Sequence, residues 1–146
     1  MYKHILVPTD GTALSLKAVR AAAKLAGKLK AKITTLYVIP PYMPGTTSED
    51  IVYRASYSAQ EYDKDMRKTA DKALARAAAA TGIAGCEKLA KIHDHPWEAI
   101  IEAASSRKCD LIVMASHGRR GLAGLLLGSE TQKVLTHSKT PVLVCC

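Results

Sequence analysis

Four short runs dense in Val, Ile and Leu punctuate the chain: YKHILVP (2–8), AKITTLYVI (31–39), CDLIVMA (109–115) and PVLVCC (141–146). Apolar runs of this length without polar alternation predict strands covered on both faces. A fifth, weaker run, KLAKIH (88–93), alternates Leu89, Lys91 and His93. Helix-period segments separate the runs. Parallel neighbours cannot be joined by a tight turn and need a crossover, which is right-handed in nearly all proteins. The order β-α-β-α-β-α-β-α-β therefore predicts a doubly wound, Rossmann-like α/β domain, with helices on both faces of the sheet.

The helical segments carry their own boundary signals. Residues 13–29 place Leu14, Ala18, Ala22, Leu25 and Leu29 on one stripe. A second helix is predicted from about Ser58 to Thr81, ending before Gly82, a residue type that commonly terminates helices. A third opens at Pro96, a favoured first helical position, with Glu98 in its first turn. The fourth covers about 129–137, with Ser129 and Gln132 spaced as a capping box. One long connection, PPYMPGTTSEDIVYRAS (40–56), is broken by prolines; a lid, a partner contact and an unordered loop all fit it.

The chain's 146 residues suit a single domain over 1–146. No run reaches the roughly 18 apolar residues of a membrane span, and the N-terminus lacks a leader pattern, so a cytoplasmic protein without membrane partners is expected. Cys86, Cys109, Cys145 and Cys146 form no CxxC and match no zinc framework, which predicts reduced structural thiols. The net charge is +8. Its excess lies in the first forty residues, where Lys17, Arg20, Lys24 and Lys28 share one side of a helix. A solvated face explains them. No aromatic interleaving or DNA-binding motif supports a nucleic-acid partner.

Ligands of open α/β sheets bind beyond the carboxyl ends of the strands, where strand order reverses. Two loops sit at such ends: VPTDG (7–11) and MASHGRRGLAGLLLGS (114–129). In the second, Gly118 at positive φ would turn the chain and expose backbone N–H groups, which together make a concave anion site. Gly128 and Ser129 then open a helix whose first N–H groups lack partners. Arg119 and Arg120 add positive potential. The loop matches neither GxxxxGK[ST] nor GxGxxG. His117 is placed either to donate to a phosphate or to pack the loop. His93 and His95 share a strand face, so a metal pair competes with turn and helix-cap roles; no third ligand is evident.

The chain resembles a single-domain universal stress protein over essentially its whole length. The resemblance is carried by HILVPTDG, LYVI, HPWEAIIEAA and CDLIVMASHGRRGLAGLLLGSETQKVLTHSKTPVLVC. The family's nucleotide-binding pattern is a glycine, two residues, a glycine, nine residues, then Gly-Ser or Gly-Thr. Gly118, nine residues and Gly128–Ser129 match it. The resemblance implies a five-stranded parallel sheet of the adenine nucleotide alpha hydrolase-like type, and a homodimer paired through the last strand. It also implies ATP, or ADP or AMP, with Mg²⁺. Pro8, Thr9, Asp10 and Val38 would surround the adenosine, with Asp10 on the ribose or facing Mg²⁺. Met114, Ala115 and His117 would line the loop. Gly118, Gly128, Ser129, Glu130 and Thr131 would hold phosphates. Two residues depart from the pattern. Ala115 replaces its first glycine: at positive φ it would be strained, and in extended backbone its methyl group would only crowd the ligand slightly. Glu130 would repel phosphates unless turned away. A stress-response regulatory module binding ATP is the expected function. A slow ATPase and a dimeric interaction protein that binds no nucleotide compete with it; no spacing identifies a catalytic residue.

Overall fold

Ile5, Leu6 and Val7 have no solvent exposure, and they divide between two apolar layers. Successive strand residues point to opposite faces. Ile5 and Val7 therefore pack with Val19, Ala22, Ala26 and Ala77 on one side. Leu6 packs with Ile100, Ala103, Ala104 and Val134 on the other. The computed structural model describes residues 1–43, 57–118 and 127–146. Arg119, Arg120 and most of the 40–56 connection lie outside the described residues.

Five strands form the central sheet: β1 (His4–Pro8), β2 (Lys32–Ile39), β3 (Glu87–Ile92), β4 (Leu111–Ala115) and β5 (Val142–Cys145). All neighbouring pairs are parallel. The helices are α1 (Ala13–Leu29), α2 (Ala59–Thr81), α3 (Pro96–Ser106) and α4 (Ser129–His137). Helices α1 and α2 cover the Ile5 face; α3 and α4 cover the Leu6 face. The three-layer α/β arrangement is as expected from the alternation. Alanines at 22, 26, 77, 99, 103 and 104 are buried at the contacts, so the helices can lie close to the sheet without large aromatic side chains. Lys17, Arg20, Lys24 and Lys28 are exposed on α1.

Local chemistry sets the helix ends. Thr12 caps α1, accepting from the Ser15 N–H at 3.2 Å. Ser58 and Glu61 form a reciprocal capping box at the start of α2, matching the Ser-x-x-Glu spacing in the sequence. Gly82 closes α2 at φ 61°, a left-handed position suited to glycine. The box expected at Ser129 and Gln132 is not made. Gly128 is the N-cap of α4, so Ser129 is already inside the helix, and Gln132 Nε2 donates to the Leu127 carbonyl at 3.2 Å.

All four cysteines are free thiols. Burial of Cys109, helped by the charges of Asp110 and Glu87, pushes its thiol up to about 11. At the opposite end of the sheet from the strand tips, the Asp110 carboxylate joins β1 to β4. It accepts from the Lys3 N–H at 2.8 Å and the His4 N–H at 3.0 Å. Burial pushes the Asp110 carboxyl upward, but these N–H donors outweigh it and the group titrates below its ordinary value.

A group with a lowered folded-state pKa adds stability above its unfolded pKa, near 4 for Asp, and loses it as pH falls through the folded value. Asp110→Ala is therefore expected to destabilise the fold at pH 7. In urea titrations the gap to the parent protein should narrow steadily below about pH 4.

Candidate functional site

The sheet order is β3-β2-β1-β4-β5. The chain steps from β1 outward to β3, then returns to β4 on the other flank of β1. Strand order reverses between β1 and β4. Loops leaving those two strands run to opposite faces, which opens a crevice at their carboxyl ends. The ladder widens this opening. β1 pairs with β2 as far as Pro8↔Leu36, but with β4 only at Ile5↔Leu111 and Leu6↔Ile112.

The β1 rim is a tight turn. Asp10 Oδ1 accepts from both the backbone N–H (2.9 Å) and the hydroxyl of Thr12. An Asp side chain bonded two residues ahead shapes the turn. Gly11, at φ 82°, is the residue here that needs glycine's freedom. Thr9 is buried, its hydroxyl 3.0 Å from Ser15 Oγ and accepting from the Gly11 N–H at 3.2 Å. Its side chain thus braces the turn from inside, while Asp10 stands half-buried at the rim. Gly11, Thr12 and Ser15 were not among the expected site residues. The Asp-Gly-Thr triplet was the signal that could have found the first two.

The β4 rim leaves and returns at one place. Ser116 N–H donates to the Cys145 carbonyl at 2.8 Å, and the Ser116 carbonyl accepts from the Gly128 N–H at 2.6 Å. Thr131 Oγ1 donates to the Ala115 carbonyl at 3.0 Å. These bonds dock the first turn of α4 against the end of β4. A Cβ at Gly128 would lie 3.3 Å from His117 Cα and 3.3 Å from the Ser116 oxygen. A Cβ at Gly118 would lie 3.3 Å from Asp10 Oδ2, so the two rims meet there.

This geometry corrects one expectation and decides between two alternatives. Gly118 does not adopt positive φ; small size beside Asp10, not a left-handed turn, is what its position exploits. Ala115 ends β4 in strand backbone and carries no left-handed strain. Its methyl group is buried.

Glu130 is turned away from the rim. Its Oε2 accepts from the Trp97 N–H at 2.8 Å, capping the start of α3. The indole of Trp97 lies 4.8 Å from the His137 ring, a second link between α3 and α4. The remaining residues are placed as follows. Pro8 ends β1, half-buried. Val38 and Met114 pack into the Leu6 layer, so the Met114 side chain lies beneath the crevice. His117 Nδ1 is 3.0 Å from Ser116 Oγ, at the foot of the loop. Ser129 is exposed at the start of α4, with Thr131 buried behind it.

His93 and His95 do not assemble a metal pair. Their ring centres are 6.3 Å apart, and His93 Nδ1 accepts from the His95 N–H at 2.9 Å. The proton of neutral His93 then sits on Nε2, which faces Glu98 and Glu102 at 3.6 Å each. Lys91 pairs with Glu102 and holds that carboxyl below its usual range. Among the described residues no group of three His, Cys, Asp or Glu side chains is placed to hold a metal.

The sequence pattern of the Universal stress protein family matches residues 1–145. A universal stress protein of Methanocaldococcus jannaschii is 32% identical, over 99% of this chain and 82% of its own. Another, from Thermus aquaticus, is 35% identical over 99% and 98%. Among solved structures, a universal stress protein in complex with cAMP superposes with a TM-score of 0.71 at 29% identity, covering 99% of this chain and 97% of that one. A second M. jannaschii protein, solved to assign its biochemical function, gives 0.76 at 26% identity over 99% and 95%.

The two glycines differ in what surrounds them. The neighbours of Gly128 are backbone atoms, which cannot step aside, whereas that of Gly118 is a side-chain oxygen. Gly128→Ala is expected to cost about 1–3 kcal/mol by overpacking, and Gly118→Ala clearly less; chemical denaturation of both variants measures the difference.

Proposed function

The chain belongs to the universal stress protein family, and from that premise we propose that it binds an adenine nucleotide, ATP together with Mg²⁺, in the β1–β4 crevice. The observation that carries this reading is the meeting of three features at the point where strand order reverses. They are the Asp10 turn, the bare backbone of Gly118 and the amino end of α4. Helix first-turn N–H groups have no intrahelical partners, and the helix dipole favours an anion beside them. In this reading the backbone N–H groups of Gly118 and of Ser129 to Thr131 hold the phosphates, His117 donates to one of them, and Gly128, its own N–H bonded to Ser116, offers only a surface without a side chain. Pro8, Thr9, Asp10 and Val38 surround the adenosine, with Thr9 contributing backbone. The cAMP complex of a 29% identical relative supports the ligand class.

Magnesium commonly binds through phosphate oxygens, water and one or two carboxylates rather than an all-protein cage. Asp10 is the carboxylate at this rim, and Mg²⁺ would arrive with the nucleotide. The protein would act as a stress-response regulatory module in the cytoplasm. No helix among the described residues is long and apolar enough to cross a membrane. We also assign the β5 edge as the homodimer contact. β5 ends the sheet order, and Leu143 on it is 44% exposed. An apolar edge strand is a template for pairing with a second copy.

Thermal melts with and without ATP–Mg²⁺ test the ligand. A ligand confined to the folded form stabilises it by about 2.7 kcal/mol at 100 times its Kd. The parent protein should show this stabilisation. Gly118→Val should melt near the parent without ligand and lose the ATP shift. No shift of the parent with ATP, ADP or AMP would overturn the reading.

A further inference from the structure

Glu130 sits within the turn assigned to phosphate, and its charge opposes phosphate. Its carboxylate is committed elsewhere: Oε2 accepts the Trp97 N–H at 2.8 Å. That N–H is otherwise one of the unpartnered donors of the first turn of α3, where Pro96 supplies none and the N-cap, His95, makes no side-chain bond. Oε1 lies 3.8 Å from Lys133 Nζ. The first turn of α4 is thus fastened in two directions. Gly128 N–H and Thr131 Oγ1 bind it to the end of β4, and Glu130 binds it to the start of α3. The carboxylate also sits near the positive ends of two helices, which offsets its own field at the rim.

We infer that Glu130 is a positioning residue for triphosphate binding: by capping α3 it fixes the direction in which the first-turn N–H groups of α4 point. The inference rests on the nucleotide reading above and deepens it. It carries a sign that distinguishes it from simple electrostatics. If Glu130 acted only as a nearby negative charge, removing it would raise affinity for ATP. As a positioning residue, its loss lowers that affinity and spares adenosine, which has no phosphate to orient.

Isothermal titration of ATP–Mg²⁺ and of adenosine against the parent, Glu130→Ala, Glu130→Asp and Glu130→Gln separates the two. The ratio of ATP to adenosine affinity should fall about tenfold in Glu130→Ala, the effect of one lost hydrogen bond to a charged group. Glu130→Asp keeps the charge and a favourable helix start but loses reach, so it should fall likewise while folding normally. Glu130→Gln keeps the acceptor and should stay within about threefold of the parent. Hydrogen exchange at the Trp97 amide should speed up in the Ala and Asp variants and not in Gln. A ratio that is unchanged or raised in Asp and Ala overturns the inference while leaving the nucleotide reading in place. A parent protein that binds no ATP overturns that reading, and this inference with it.

Discussion

The Ser116 carbonyl, accepting the Gly128 N–H at 2.6 Å, is the contact on which the candidate site depends. A chain that leaves β4 and travels through residues 117–127 must return to the same strand tip for α4 to start there. This bond makes it return. Thr131 adds a second attachment one residue further back on β4, at the Ala115 carbonyl. Without them α4 would still cover the Leu6 layer through Val134. Its amino end, however, would not be held at the crevice. The same closeness explains why residue 128 is glycine: a methyl group would press on the backbone of Ser116 and His117.

Much of the architecture was legible because it depends on periodicity. Residues 13–29, the start at Pro96 and the span 129–137 agree with the observed helices. The strands were overextended by a residue or more at most of their ends. Tyr2 and Lys3 precede β1 in the same run, yet the Lys3 N–H turns to the Asp110 carboxylate while its carbonyl accepts from the Lys32 N–H. The capping errors were of one kind. A Ser and a Gln three apart satisfied the pattern at 129 and 132, but Gly128 took the cap, and the box formed at Ser58 and Glu61 instead.

The site was legible in its residue types and less so in their reasons. Gly118 was expected to supply positive φ, and Gly11 does so instead. The role of Gly118 is visible only when Asp10, more than a hundred residues away in sequence, comes alongside it. The orientation of Glu130 was equally hidden, since its partner Trp97 is 33 residues distant. A shared strand face suggested a metal pair at His93 and His95, but β3 ends at Ile92 and His93 Nδ1 accepts from the His95 N–H, a local contact that spacing does not reveal.

The charge pattern follows the same division. The basic face of α1 is exposed and lies opposite its buried alanines, as a solvated helix face should. Among the described residues, the positive ends of α1 and α4 and the Asp10 carboxylate shape the field near the strand tips. A phosphate chain beside the N–H groups and a metal ion beside Asp10 would complement that arrangement. Amide-resolved NMR during titration with ATP–Mg²⁺ tests this most directly. The account predicts the largest shifts at Gly118, Ser129, Glu130 and Thr131, with smaller ones at Asp10 and Gly11. Saturable shifts confined to another face of the sheet, with these amides unmoved, would contradict it.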